Sequence, residues 1–200
     1  KVEHLLVADG RDATTNPYFN YTPHRIILPE NVGGNGWYGH RVYAAIPLVV
    51  NADYILFLDE DNWYEPNHVR IMVEGIQTHG FEWCYTLRNI TDKHGQFLCK
   101  DDCDSLGVFP NHVNSNLVDM NCYCFKTEFL LKVAPVLCSE YYNTDRKLYR
   151  YAVAQSKDYA SYASTGLYSV NYRVKKETEK FFKEGNAVMQ GRFHGNFPWR

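Results

Sequence analysis

The sequence lacks long apolar runs, long basic runs and cysteine pairs with the spacing of a zinc site. No apolar stretch approaches the ~20 residues that a membrane-spanning helix needs. The 21 Lys and Arg are offset by 23 Asp and Glu, and valine interrupts the longest basic cluster, 173–176. A nucleic-acid-binding surface is therefore not indicated. We expect a soluble protein with no transmembrane segment and no nucleic-acid partner.

The cysteines are few and irregularly spaced. Six cysteines lie between Cys84 and Cys138, with no C-x-x-C pair. Cys122 and Cys124 would share one face of a strand, too close for easy pairing with each other. We expect free, mostly buried thiols in a reducing compartment, the cytoplasm. The even cysteine count and two N-x-T triplets, at 20–22 and 89–91, leave the oxidised, secreted alternative open.

The order of apolar segments predicts one α/β domain. Strands are expected near 2–8, 25–28, 54–58, 82–88, 96–100, 120–125 and 166–174, and irregular loop over 12–21 and 101–115. Helices are expected over 37–50 (shortened by Pro47), after Pro66, and over 126–135, 145–156 and 175–185. The strand at 54–58 has no alternation, which is typical of a strand buried on both faces. This order predicts a mainly parallel central sheet flanked by helices, with ligands at the carboxyl ends of its strands.

The most informative stretch is YILFLDEDNWYEP, residues 54–66, where a buried strand ends on three adjacent acids. Side chains two residues apart in extended backbone point the same way, so Asp59 and Asp61 can converge on one cation. Carboxylate oxygens suit Mg²⁺ or Mn²⁺, which take phosphate oxygens as further ligands. An EF-hand is excluded because Tyr64 stands where glycine is required and Arg70 where glutamate is required. The alternative is a solvated acidic turn that caps the next helix.

Four segments resemble, in order, the core of the GT-A nucleotide-sugar glycosyltransferases of the family 2 type. NVGGNGWYGHRVYAAIPLVVNADYILFLDEDNWYEPNHV, residues 31–69, has that family's N-x-G, basic helical residue, apolar strand, D-x-D and helix-opening proline. HLLVADGRD, 4–12, is similar to its second strand, which ends in an acidic pair before glycine. DMNCYCFKTEFLLKVAPVL, 119–137, resembles a later strand–helix unit, and NTDRKLYRYAV, 143–153, its E-D-x-x-L-x-x-R segment. The resemblance implies a single GT-A (Rossmann-like) domain.

The sequence departs from that family in three places. The family's opening strand, such as V-S-V-I-I-P, and the helix after it have no counterpart here, which leaves the nucleobase open. The acidic pair before glycine is Ala8-Asp9, and the Glu-Asp pair is Thr144-Asp145, so each keeps a single carboxylate.

The resemblance implies seven donor-binding residues, of which Asp59 and Arg192 belong with the metal and diphosphate site. Asp9 would contact the base or ribose, and Arg41 would face the nucleotide. Asp119 and Asn121 occupy positions at which the family touches the donor sugar, and Trp63 could stack on a sugar face. Three of them have a plainer alternative: an Asp-Gly turn for Asp9, a surface arginine for Arg41 and a packed turn aromatic for Trp63.

The resemblance also implies a metal site and a general base. Asp61 would bind the metal directly, Asp59 would reach both ribose and metal, and His194 from a C-terminal stretch would complete the site. Arg192 would meet the diphosphate. Asp145 would take the proton of the acceptor hydroxyl, or would only cap its helix.

The implied function is metal-dependent transfer of a sugar from a UDP-sugar to a hydroxyl of a carbohydrate acceptor, with Mn²⁺ or Mg²⁺ as cofactor. Inversion is favoured, and retention stays open. Residues 1–115 would form the nucleotide-sugar-binding half, 116–185 the acceptor side and 186–200 a flexible lid, within a module of a larger polypeptide. A sugar nucleotidyltransferase and a non-catalytic carbohydrate-binding module are the alternatives.

Overall fold

The computed structural model describes residues 1–15, 17–107, 116–139, 144–158, 160–197 and 199, and only the backbone of Tyr18. The strands in these ranges are β1 Leu6–Ala8, β2 Arg25–Ile27, β3 Tyr54–Leu56, β4 Trp63–Tyr64, β5 Trp83–Thr91, β6 Phe97–Lys100, β7 Tyr123–Lys126 and β8 Tyr162–Arg173. The α-helices are α1 His40–Ala45, α2 His68–His79, α3 Thr127–Val133, α4 Thr144–Gln155 and α5 Lys176–Phe193. Short 3₁₀ helices cover Arg11–Thr15, Pro17–Asn20, Ile46–Leu48, Met120–Cys122 and Ala134–Cys138.

Six of these strands form one mixed sheet in the order β3-β7-β5-β8-β4, with β6 also on β5. The pair β5–β8 is parallel, whereas β3–β7, β5–β7, β5–β6 and β4–β8 are antiparallel. β1 and β2 form a separate parallel pair. The α/β class is confirmed, but the mainly parallel sheet is only partly so. The apolar run at β3 indicates a buried strand, but burial does not determine whether the neighbouring strand is parallel or antiparallel.

The helices begin and end where local chemistry allows. The α-helical part of the predicted helix 37–50 is α1 alone, followed by a 3₁₀ turn that contains Pro47. In α2, Met72 and Ile76 of the predicted apolar stripe are fully buried, and the helix ends at Gly80 with φ 70°. The predicted end of the last helix near Gly185 is wrong, because α5 continues to Phe193.

Gly185 serves close packing instead of helix termination. A Cβ atom at this position would lie 2.9 Å from the sulfur of Cys103, so only glycine lets α5 approach the loop after β6 so closely. All six cysteines lie in the described residues and are free thiols, four of them buried. None of the helices in the described ranges is long and apolar enough to span a membrane.

The core surrounds Trp83, the first residue of β5, which is fully buried. Its ring stacks on Tyr162 at 4.5 Å between centroids, and its indole N–H donates to Ser156 Oγ at 2.9 Å. The C-terminal end of β5 extends beyond this core. One edge of β5 pairs with β7 over Trp83–Tyr85 and with β6 from Asn89 onward. The residues between these two pairings lie beside the candidate site.

Candidate active site

The candidate site is built around Asp59, which follows β3. One carboxylate oxygen accepts a hydrogen bond from the Tyr43 hydroxyl, and the other accepts from the Asn121 side-chain amide at 2.8 Å. The backbone N–H of Asp59 donates to the Asn121 side-chain oxygen at 2.6 Å. Asn121 also donates to Asp119 Oδ1 from its backbone at 2.9 Å and from its side chain at 2.7 Å. Asp59, Asn121 and Asp119, three predicted donor residues, therefore form one network.

A buried arginine holds the far end of this network. Arg88 is 3% exposed and lies on β5 where the strand edge passes from β7 to β6. Its three guanidinium nitrogens each donate at 2.7 Å, to Asp101, Asp104 and Asp119. The Tyr172 ring lies 4.1 Å from the guanidinium carbon. Such charge-assisted bonds are among the strongest in proteins, so Asp119 is held firmly.

The site carries excess negative charge. One guanidinium faces the three carboxylates of Asp101, Asp104 and Asp119. Burial and the charge of Asp119 raise the pKa of Asp59 above its ordinary value. Burial likewise raises the pKa of Tyr43, so its hydroxyl is neutral and donates to Asp59 without supplying charge.

Asp9 organises the glycine-rich loop. Its two carboxylate oxygens accept from the backbone N–H groups of Val32 at 2.7 Å and Gly33 at 2.8 Å. A Cβ atom on Gly33 would lie 2.6 Å from Asp9 Oδ2 and 2.8 Å from the Cα of Gly39, so the site of closest approach requires glycine. These bonds give Asp9 a structural role in the loop that leads into α1. Its contact with a base or ribose stays a prediction.

Asp145 lies in the first turn of α4, as the order of apolar segments predicted. Its side chain accepts from the backbone N–H of Arg146 at 2.8 Å, a contact that also fits a helix-terminal role. Burial and Asp119 raise its pKa, whereas His40 acts in the opposite direction. Asp145 is therefore electrostatically coupled to the network through Asp119.

Two predicted residues at the rim have aromatic or packing contacts. Arg41 is exposed, with its guanidinium 3.6 Å from the centroid of the Trp37 ring. Trp63 is half-buried and packs beneath the hairpin after β5, where a Cβ atom on Gly95 would lie 3.3 Å from its ring. The Arg173 guanidinium lies 5.5 Å from that ring. The packed alternative for Trp63 thus has structural support, and its stacking on a sugar stays a prediction.

The predicted metal ligands do not form a ready three-residue site. In the described part of the chain, no three His, Cys, Asp or Glu side chains come together as a metal-binding group, so His194 does not join Asp59 and Asp61 in one. Asp61 is exposed in the turn after Asp59. His194 is the exposed C-cap of α5, and the Arg192 guanidinium lies 5.4 Å from the Phe193 ring. Residues 198 and 200 of the predicted lid, and 108–115 of the predicted loop, lie outside the described residues.

Sequence reasoning missed three residues of the site: Tyr43, Arg88 and His40. The arginine had a signal, because a charged residue inside the apolar strand WCYTLRNIT must find partners when it is buried. The acids that follow β6 supply two of those partners. Neither Tyr43 nor His40 had a comparable signal, since both fit an ordinary helix surface.

No protein-family model and no curated protein matches the chain. Its fold is similar to solved structures of S. aureus TarS. With TarS 1-349 in complex with UDP-GlcNAc the TM-score is 0.61 at 13% identity, over 96% of this chain and 57% of that one. With the UDP complex the TM-score is 0.58 at 12% identity, over 96% and 56%. The chain thus spans little more than half of the length of TarS 1-349, and at this identity the likeness establishes a shared fold and no shared activity.

Proposed function

We propose that the chain is a glycosyltransferase that moves a sugar from a UDP-sugar to a hydroxyl of a carbohydrate acceptor. The observation that carries the proposal is the network Arg88–Asp119–Asn121–Asp59, which fixes two carboxylates and an amide where β3 ends. Its setting supports the donor class, because the same fold in S. aureus TarS has been solved with UDP and UDP-GlcNAc.

A divalent cation fits the charge and the chemistry of this site. A diphosphate is strongly anionic, and excess carboxylate charge at Asp59, Asp61 and Asp119 would repel it. Mg²⁺ and Mn²⁺ take one or two protein carboxylates together with phosphate oxygens, so a site with fewer than three protein ligands is suitable. Asp59 and Asp61 would hold the ion. When bound, the ion would offset the charge of the departing diphosphate.

Asp145 is the proposed general base. The proton of the acceptor hydroxyl passes to its carboxylate while the acceptor oxygen bonds to the anomeric carbon. The bond from that carbon to the diphosphate breaks, and its electron pair leaves with UDP. Burial supports the role, because a carboxylate with a raised pKa is a stronger base than an exposed one. A base opposite the leaving group gives inversion.

The remaining donor contacts are proposed from the sequence resemblance. Asp119 and Asn121 would bind the donor sugar, and Trp63 would meet one of its faces. Asp9 and Arg41 would contact the nucleotide across the glycine-rich loop. Residues 1–115 are the proposed donor half and 116–185 the acceptor side. The C-terminal residues, with Arg192 near the diphosphate, would form a lid over both, excluding water.

Metal-dependent binding of UDP tests the proposal. Calorimetric titration of UDP and UDP-GlcNAc, with and without Mn²⁺, should show binding that needs the metal and weakens at least ~10-fold in Asp61→Asn, a loss of ~1.4 kcal/mol. Asp53→Asn is the matched control, since Asp53 is an exposed acid at the opposite end of β3 and should leave affinity unchanged. Metal-independent binding, or equal effects of the two variants, would contradict the proposed donor site.

Transfer itself separates the alternatives. Asp145→Asn should bind UDP normally, but its rate of UDP release from UDP-GlcNAc should fall at least ~10²-fold, as loss of a positioned base predicts. Full activity in that variant would remove Asp145 as base. Pyrophosphate release from UTP and a sugar phosphate would favour a nucleotidyltransferase. Sugar binding unaffected by Asp61→Asn, with no turnover, would favour a binding module.

A further inference from the structure

His40 is a buried imidazole with an unpartnered nitrogen. It is the first residue of α1, only 7% exposed, and its backbone N–H donates to Trp37 O at 2.9 Å. Its Nδ1 is buried without a hydrogen-bond partner among the described residues. A buried nitrogen without a partner destabilises the fold, and native proteins retain few such groups without a functional reason.

The imidazole lies near Tyr43 and within electrostatic reach of Asp119 and Asp145. Its ring centroid lies 6.3 Å from that of Tyr43, one turn further along α1, whose hydroxyl donates to Asp59. The charges of Asp145 and Asp119 act on His40. α1 and α4, which carry His40 and Asp145, both pack against the 3₁₀ helix Ala134–Cys138. His40 thus lies near Tyr43 of the network and is influenced by the charge of Asp145, the proposed general base.

The missing partner is a neutral polar group. Burial lowers the pKa of His40 despite the two carboxylates, so the ring is uncharged at neutral pH and does not form an ion pair. A metal ion is a poor candidate, because His40, Asp119 and Asp145 do not come together as a metal-binding group. A hydroxyl, which can donate and accept at once, suits a site between an imidazole nitrogen and a carboxylate.

We propose that His40 Nδ1 binds the attacking hydroxyl of the carbohydrate acceptor, beside Asp145. Since the hydroxyl has one proton and delivers it to Asp145, Nδ1 must carry the hydrogen and donate it to a lone pair of the same oxygen. His40 then fixes the oxygen while Asp145 removes its proton. The proposal rests on the proposed function, whose donor site it leaves unchanged.

Side-chain replacements can distinguish the role of His40 Nδ1 from that of Nε2. In His40→Asn the amide stands near the place of Nδ1 and can still donate, whereas in His40→Gln it stands near the place of Nε2. His40→Leu removes both nitrogens at similar volume. The reaction is followed as UDP released from UDP-GlcNAc with Mn²⁺, in water alone and with methyl glycosides of glucose, galactose, mannose and N-acetylglucosamine as acceptors.

With the glycoside that most accelerates UDP release, His40→Leu and His40→Gln should raise the acceptor KM at least ~10-fold, and His40→Asn at most ~3-fold. The affinity for UDP should stay within ~2-fold in all three, with unchanged circular dichroism. No stimulation by any glycoside, an unchanged acceptor KM in His40→Leu, or an equal loss in Asn and Leu variants would overturn the role of His40 alone. Failure of the wild type to bind UDP would overturn the proposed function, and His40's role with it.

Discussion

Replacing Arg88 by lysine should destabilise the protein although the charge is kept. The guanidinium reaches three carboxylates with three separate nitrogens, each at 2.7 Å. A lysine presents its donors from one atom, so it can satisfy one carboxylate well and leaves two without their bonds. A hydrogen bond to a charged group contributes ~1.5–3 kcal/mol, and loss of two gives ~3–6 kcal/mol. Because domains have only ~5–15 kcal/mol in total, this is a large share.

Urea denaturation followed by fluorescence and far-UV circular dichroism gives the free energy of unfolding. The matched control is Arg70→Lys, whose Nη1 lies 3.1 Å from Glu74 Oε2 with both side chains more than half exposed, at 64% and 57%. Exposed i,i+4 pairs contribute ~0.3–0.5 kcal/mol, so this variant should be nearly neutral. A loss below ~1 kcal/mol in Arg88→Lys, or one matching the control, would refute the three-bond account.

Two further predictions concern the loop before α1 and a buried histidine. Gly33→Ala should lower the free energy of unfolding by ~1–3 kcal/mol, because its Cβ would lie 2.6 Å from Asp9 Oδ2. In Gly75→Ala, within α2, the new Cβ meets nothing within 4 Å, so the free energy of unfolding should rise by ~0.5–1 kcal/mol. Urea denaturation of both variants measures these changes, and equal effects would contradict the prediction. Burial lowers the pKa of His68 from 6.5 to about 4, so the unfolded chain takes up a proton first and stability is lost as pH falls from 6.5 to 4. Relative to His68→Gln the wild type should lose ~3 kcal/mol across that window, measured by unfolding at each pH, and parallel curves would contradict the shift.

Local chemistry in the sequence predicted most of the secondary structure. The apolar stripe of α2 and the hairpin β5–β6 follow from periodicity and turn residues, which depend on neighbours in the chain. Strand direction depends on residues far apart, and β3 pairs with β7 across some seventy positions. The end of α5 was missed because Gly185 usually signals termination, and its reason for being glycine is a contact with Cys103.

The candidate site was only partly predictable for the same reason. Asp59, Asp119 and Asn121 were found through their places in motifs, and the structure joins them by hydrogen bonds. Arg88 lies 31 positions from Asp119, and no local pattern indicates which acid it meets. The unpartnered nitrogen of His40 is a property of the packed molecule, which one helical turn of sequence does not contain.

The residues of the network differ in what they stabilise. Arg88 supplies positive charge to Asp119, so its loss must affect folding as well as the site. Asn121 passes this constraint on through neutral bonds to Asp59. Asp59 accepts hydrogen bonds from two neutral donors, Tyr43 and Asn121. The positive charge of Arg88 contacts Asp119 instead, and Asn121 lies between Asp119 and Asp59. Holding the Asp59 carboxylate in place without a positive partner lowers the stability of the ligand-free protein. A cation that binds together with a diphosphate would supply the missing positive charge.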